Sequence, residues 1–86
     1  MDAPARTGAA MPRYYFHQYL NGLLIQDHQG LQFGSPKEAC EHAVYRMPII
    51  LKGLVDPIRD THLAIEVSDG THTLSIIRGN VTIEVP

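Results

Sequence analysis

The 86-residue chain carries 7 Lys and Arg against 9 Asp and Glu, a formal charge of 7 − 9 = −2, with 44% hydrophobic and 19% charged residues. That balance excludes wholesale disorder, and the scattered cations Arg6, Arg13, Lys37, Arg46, Lys52, Arg59 and Arg78 form no stripe able to track a phosphate backbone, so no nucleic-acid partner is expected. One cysteine precludes an internal disulfide, and no apolar run approaches the roughly eighteen residues of a membrane helix, so the expectation is a single cytoplasmic domain without membrane contact.

Residues 1–10, MDAPARTGAA, contain no side chain large enough to anchor in a core and lack the pattern of a signal peptide. They read as a disordered lead-in to a folded unit over residues 11–86, and Met11 is a second candidate start. Strands follow at Arg13–Leu20 and Leu23–Asp27, joined by Asn21-Gly22, the pair that a type I′ turn demands because both central residues need positive φ. Pairing Leu20 with Leu23 sets Gln18 opposite Ile25 and Phe16 opposite Asp27. Tyr14, Phe16, Leu20, Leu23 and Ile25 then share the core face, while Tyr15, His17, Tyr19, Leu24 and Gln26 share the other.

Ser35-Pro36-Lys37-Glu38 is a helix start, with Ser35 as N-cap, Pro36 in the first helical position and Glu38 closing a capping box. At 100° per residue, Cys40, Ala43, Val44, Met47, Ile50, Leu51 and Leu54 fall within about 140° of arc. The residue before a proline disfavours helical geometry, which would end the helix at Met47. The stripe keeps its phase past Pro48, however, and this favours one kinked helix over residues 36–53. Strands at about 62–68, 71–78 and 81–85 are predicted beyond it, with two-residue turns at Asp69-Gly70 and Gly79-Asn80. Those turns place Leu63, Ile65, Val67, Leu74, Ile76, Val81, Ile83 and Val85 on one face. The predicted fold class is α+β: a single antiparallel sheet of four to five strands in the order β-β-α-β-β-β, with one kinked helix on one face.

The run Met11-Pro12-Arg13-Tyr14-Tyr15-Phe16-His17, followed by Asn21-Gly22, Asp27-x-x-Gly30, an alanine-bearing helix and Val67-Ser68-Asp69-Gly70, resembles an uncharacterised family of short bacterial domains of unknown function that open with this signature. The resemblance spans roughly residues 11–77. It implies a β-β-α-β-β domain with no known enzymatic activity or cofactor, and it transfers no functional residues. The hairpin with its Asp-x-x-Gly turn before a Ser35-Pro36-Lys37-Glu38-Ala39 helix start is also similar to antitoxins of the HicB type, which implies a ribonuclease toxin as an alternative partner. The chain has no residues left for a helix-turn-helix.

The candidate chemistry is sparse. His17, His28, His42, His62 and His72 form no metal-ligand pattern, and Asp56, Asp60 and His62 read as a solvated loop, so neither metal nor cofactor is expected. Cys40 lies on the apolar stripe and reads as packing; His42 is predicted to face water. No nucleophile elbow, phosphate loop or dinucleotide fingerprint is present, so no enzyme is expected and no catalytic residue is assigned. What remains is an interaction surface. Tyr15, His17, Tyr19, Leu24, His62 and Ile77 are placed on the sheet face away from the helix, and Tyr45 and Ile49 form an apolar pair on the helix's polar side. The expected function is a non-enzymatic interaction or regulatory module acting through an open sheet face or edge. A chain this small, without metal or disulfide, also favours self-association into a homodimer.

Overall fold

The computed structural model describes residues 11–86; the lead-in expected at 1–10 lies outside them. The elements run β1 (Arg13–Leu20), β2 (Leu23–Ile25), β3 (Leu31–Gln32), α1 (Pro36–Leu54), β4 (Thr61–Ser68) and β5 (Thr73–Val81). They build one antiparallel sheet in the order β2-β1-β4-β5, with β3 also pairing β1, and one helix against it. The predicted fold class holds, with the fifth strand before the helix rather than after it.

Local chemistry accounts for the first hairpin. Asn21 and Gly22 adopt φ of 49° and 86°, and Gln18 pairs with Ile25 and Leu20 with Leu23 as predicted, but the strand stops at Ile25 rather than Asp27, so the predicted Phe16–Asp27 pair does not form and Asp27 instead belongs to a loop. The turn is anchored on β4, because Asn21 N donates to His62 O at 2.8 Å and His62 N donates to Asn21 Oδ1 at 2.8 Å. Ser35 caps α1, its Oγ accepting from Glu38 N at 3.2 Å, while Glu38 Oε1 reaches back to Gly34 N at 3.0 Å, one residue beyond the reciprocal capping-box bond. The helix passes through Pro48 and ends at Leu54, close to the predicted boundary. Pro48 sits on the exposed side, where a missing backbone N–H meets water.

The last hairpin departs from prediction. Asp69 Oδ1 accepts from Thr71 N at 2.8 Å and His72 N at 2.7 Å, which makes a four-residue loop of Asp69–His72. The longer loop alone would preserve which residues face the helix. One extra residue in β5, Leu74, then shifts the register between Val67 and Ser68, so Val67 pairs with Ser75 and Ile65 with Ile77. A one-residue slip moves every later side chain to the opposite face. Ile76, predicted inward, therefore lies on the open face and is 50% exposed; Leu74, also predicted inward, is the unpaired extra residue and is 37% exposed; and Ile77, predicted on the open face, packs against the core. Gly79-Asn80 is not a turn but part of β5, and residues 82–86 form no strand, so the predicted strand 81–85 is absent; Val85 is exposed.

The core comprises Tyr14, Ala39, Ala43, Met47, Leu63, Ile65 and Val67, with Phe16, Phe33, Cys40, Ile50, Leu51 and Ile77 packed around it. The helix lies mainly over β4 and β5 and touches β1 only lightly. Gly79 permits this placement: a Cβ there would stand 2.7 Å from Met47 Sδ and 3.2 Å from Leu51 Cδ2. Because the helix is rotated and displaced from the predicted stripe, Val44 is exposed rather than buried, and Leu23 and Ile25 lie uncovered on the core face.

Candidate functional site

Two surfaces flank β1, and the sequence anticipates only one. On the open face, alternation brings Tyr15, His17, Tyr19, Leu24 and His62 together as predicted, since Tyr14 and Phe16 turn toward the core. Ile77 does not join them, and Tyr45 and Ile49, both exposed, stand on the helix away from this face.

The open-face residues are engaged with one another. The Tyr15 and His17 rings stack at 6.4 Å with 8° between planes, and His17 Nδ1 accepts from Asp27 N at 3.0 Å. Tyr19 Oη donates to Glu66 Oε1 at 2.9 Å, Thr73 Oγ1 donates to the other carboxylate oxygen of Glu66, and His62 Nδ1 bonds Asn80 Oδ1 at 3.0 Å. The Thr73 and Tyr19 hydroxyls hold the Glu66 carboxyl below its usual range, and the bond to Glu66 in turn pushes the Tyr19 phenol up. A shallow depression of about 350 Å³ lies here, bordered by Tyr19, His62, Glu66, Ile76 and Arg78.

The second surface lies on the helix side, in the gap that α1 leaves above β1, β2 and β3. The β2 and β3 segments act as one strand interrupted by a loop: Gln18 pairs with Ile25 and Arg13 with Gln32, so five residues, Gln26–Gly30, span the three residues Tyr15–His17 opposite. Asp27 organises that loop. Its Oδ2 accepts from Phe16 N at 3.0 Å, and its Oδ1 accepts from Gln29 N and Gly30 N, each at 3.0 Å. Burial raises the Asp27 pKa, but the backbone bonds from Gly30, Phe16 and Gln29 outweigh it and leave the carboxyl below its ordinary 3.8. Gly30 has φ +68° and a Cβ position only 2.6 Å from Tyr14 O, so the loop closes only with glycine there. Arg13 Nη1 adds a bond to Gln29 O at 2.9 Å.

Above this loop is a cleft of about 330 Å³ with Phe16, Ile25, Leu31 and Ile50 among its apolar walls and Gln18, His42 and Arg46 among its polar ones. His42, predicted to face water, instead packs its ring 5.3 Å from Phe16 and 5.1 Å from Phe33. Burial, and then the Arg46 charge, hold its pKa below 6.5. The signals for this cleft were the Asp27-x-x-Gly30 loop and the i, i+4 pair His42 and Arg46; both gain meaning only once the lateral position of the helix is known.

In the loop after the helix, Asp56 Oδ1 accepts from Ile58 N at 2.9 Å and Asp60 Oδ1 from Ile83 N at 2.8 Å. Among the described residues no three His, Cys, Asp or Glu side chains converge as metal ligands, and Cys40 packs against the core. No helix of the described residues is long and apolar enough to cross a membrane.

Comparison with known families places this architecture. Residues 13–77 match the family described as Domain of unknown function (DUF6894). The chain belongs to that family. The matched span begins with β1 and ends within β5, so the cleft and the Asp27 loop lie inside it, and the open-face surface does so except for Arg78 and Asn80. No curated protein and no solved structure matches the chain.

Proposed function

We propose that the chain is a non-enzymatic protein-interaction module that binds an extended segment of a partner protein in the cleft between α1 and the β2–β3 edge. One observation carries this reading: Leu23, Leu24, Ile25 and Leu31 are 68%, 47%, 48% and 48% exposed along a single sheet edge. Natural edges left to water are blunted by charge, proline or shortness; β2 is short, but it presents Leu23 and Ile25 on one face and Leu24 on the other.

Strand addition supplies the binding mode. Leu24 pairs with Tyr19 between the Leu20–Leu23 and Gln18–Ile25 pairs. In a two-residue hairpin those flanking pairs exchange the hydrogen bonds, so the N–H and C=O of Leu24 point outward. A segment laid along this edge gains backbone bonds there and drops alternate side chains toward Phe16, Ile25, Leu31 and Ile50. Arg46 on the rim has no carboxylate partner among the described residues, and Asp27 is fully occupied by backbone N–H groups, so an acidic group beside the apolar side chains suits the cleft. The structural engagement of both carboxylate oxygens of Asp27 and of Glu66 supports a binding rather than a catalytic role. The scattered cations favour a protein partner over nucleic acid or membrane.

The test is selection from a random peptide library displayed on phage, with the full chain immobilised. Wild type is expected to enrich peptides that alternate apolar residues and carry an acid, and Leu24→Pro and Ile25→Asp are expected to lose that enrichment. Absence of enrichment over bare beads, or equal enrichment by the variants, removes the reading.

A further inference from the structure

We infer that His17 positions the cleft loop from the opposite face of the sheet, so that capture of a peptide in the cleft weakens when His17 gains a proton. The inference rests on the peptide-binding reading above and adds its regulation.

The loop Gln26–Gly30 forms one wall of the cleft through Gln26, Asp27, Gln29 and Gly30. Asp27 fastens it at both ends of the residue. Along β1, Gln18 and Leu20 pair with β2, and Phe16 is the next residue whose N–H points to that side. Because β2 ends at Ile25, the Asp27 carboxylate takes that N–H, together with those of Gln29 and Gly30. The main-chain N–H of Asp27 is in turn held by His17 Nδ1 at 3.0 Å. A side chain of the open face thus anchors a wall of the cleft on the other face.

That anchor admits one protonation state. A backbone N–H can only donate, so Nδ1 is the bare nitrogen and the ring proton sits on Nε2. In the imidazolium both nitrogens carry hydrogens, and Nδ1–H would point at the Asp27 N–H. The bond is therefore present when the ring is neutral and lost when it is charged. Tyr15 keeps the ring in place, stacking on it at 6.4 Å with 8° between planes. Tyr15 is itself packed against Gly30 and Gly70, where an added Cβ would stand 3.0 Å from its Cδ1 and 3.5 Å from its Cε2.

The surroundings of the ring give the charged form somewhere else to go. Tyr15, Tyr19 and Arg13 share its face of β1, Arg13 being engaged with Gln29 O; Asp27 and His28 lie in the loop, and Glu66 is directly across on β4. In the order β2-β1-β4, Glu66 stands on the other side of β1 from the loop, so its carboxylate draws a charged ring off Asp27. Capture is favoured above the titration of His17 and lost below it, and binding expels the proton. His42 gives the opposite sign: it lines the cleft beside Arg46, and a proton gained there would strengthen the hold on an acidic peptide.

Nitrogen-15 NMR of the full chain between pH 8 and pH 5 makes the first test. Histidine changes charge in this window, whereas the Asp27 carboxyl, held below 3.8, does not. The His17 ring is expected to show Nε2–H at pH 8. The Asp27, Gln29 and Gly30 amide signals are expected to move with the His17 ring, not with His28 or His42. Asparagine sets Oδ1 where Nδ1 stood and does not titrate, so His17→Asn is expected to keep the pH 8 loop signals throughout. His17→Ala is expected to show the low-pH signals already at pH 8. A peptide selected by wild type at pH 8 is expected to bind about three- to tenfold more weakly at pH 5, the scale of one hydrogen bond, with no such loss in His17→Asn. Loop amides that ignore the His17 titration, an Nδ1–H tautomer at pH 8, or an equal loss of capture in His17→Asn overturns the inference and leaves the peptide-binding reading standing. Loop amides that follow His17 in a chain capturing no peptide at either pH overturn that reading, and the coupling with it, while the His17–Asp27 bond stands.

Discussion

Leu63, Leu20 and Leu23 form one row across three adjacent strands on the same side of the sheet, yet Leu63 is 1% exposed, Leu20 is half-buried and Leu23 is 68% exposed. The residue type is constant and so is the face; only the position under the helix changes. The β4–β5 half of the sheet is closed by α1, and the β1–β2 half keeps an apolar surface that the fold itself does not cover. Pattern therefore assigns a side chain to a face, whereas burial depends on where the covering layer sits. The uncovered half is the half to which we assign binding.

The contrast is sharpest in stability. Leu63→Ala removes a fully buried side chain among Val67, Ile65 and α1 and is expected to cost about 3 kcal/mol, measured by urea denaturation. A cost below about 1 kcal/mol would mean that the closed half is loosely packed, and the comparison would fail there. Gly30→Ala probes the support of the open half. Its φ of +68° and the 2.6 Å approach to Tyr14 O cannot both be relieved, because the obstructing atom is backbone, so a loss of at least about 2 kcal/mol is expected. The thermal midpoint would fall accordingly.

Asp27→Asn should cost less, about 1 to 2 kcal/mol, because an amide presents one acceptor oxygen where the carboxylate presents two, and either Phe16 N or the Gln29–Gly30 pair loses its bond. The pH dependence has a definite sign. A carboxyl whose pKa is lowered on folding adds stability above its ordinary 3.8, and that contribution disappears as pH falls below this value. Acidification from about pH 5 to pH 2 should therefore lower the denaturation midpoint less in Asp27→Asn than in wild type. Glu66 and Asp69, also held low, the first by the Thr73 and Tyr19 hydroxyls and the second by the His72 and Thr71 amides, continue to titrate in both proteins. An unchanged slope in the variant would place the acid sensitivity on those two groups instead.

How much of this was legible follows the range of the interactions. The Asn21-Gly22 turn, the β1–β2 register and the Ser35 cap are set by neighbours in sequence, and each was readable. The open-face group Tyr15, His17, Tyr19 and His62 followed from alternation alone. The extra residue at Leu74 is defined by pairing with β4, so the faces of Ile76 and Ile77 were inverted in prediction. β3 is two residues long, too short to carry a period, and owes its pairing to the Asp27 loop. The cleft was hidden for the same reason: it exists because Gly79 lets Met47 and Leu51 settle over β5, drawing the helix away from Leu23 and Ile25.

The smallest expected effect is the most discriminating. Leu23→Ser replaces a residue 68% exposed beside the turn, in a row whose buried member is Leu63, and should change stability by no more than about 0.5 kcal/mol. Its hydrogen-bonded pairing with Leu20 is made by the backbone and survives the change. In the peptide selection the same substitution should reduce enrichment, because it removes apolar area from the edge on which the segment is laid. A stability loss approaching that of Leu63→Ala would show that Leu23 is covered in solution, either by residues 1–10 or by a second copy, and the β2 edge would then be an occupied surface. Neutral stability with weakened peptide capture is the combination expected of an edge held open for a partner.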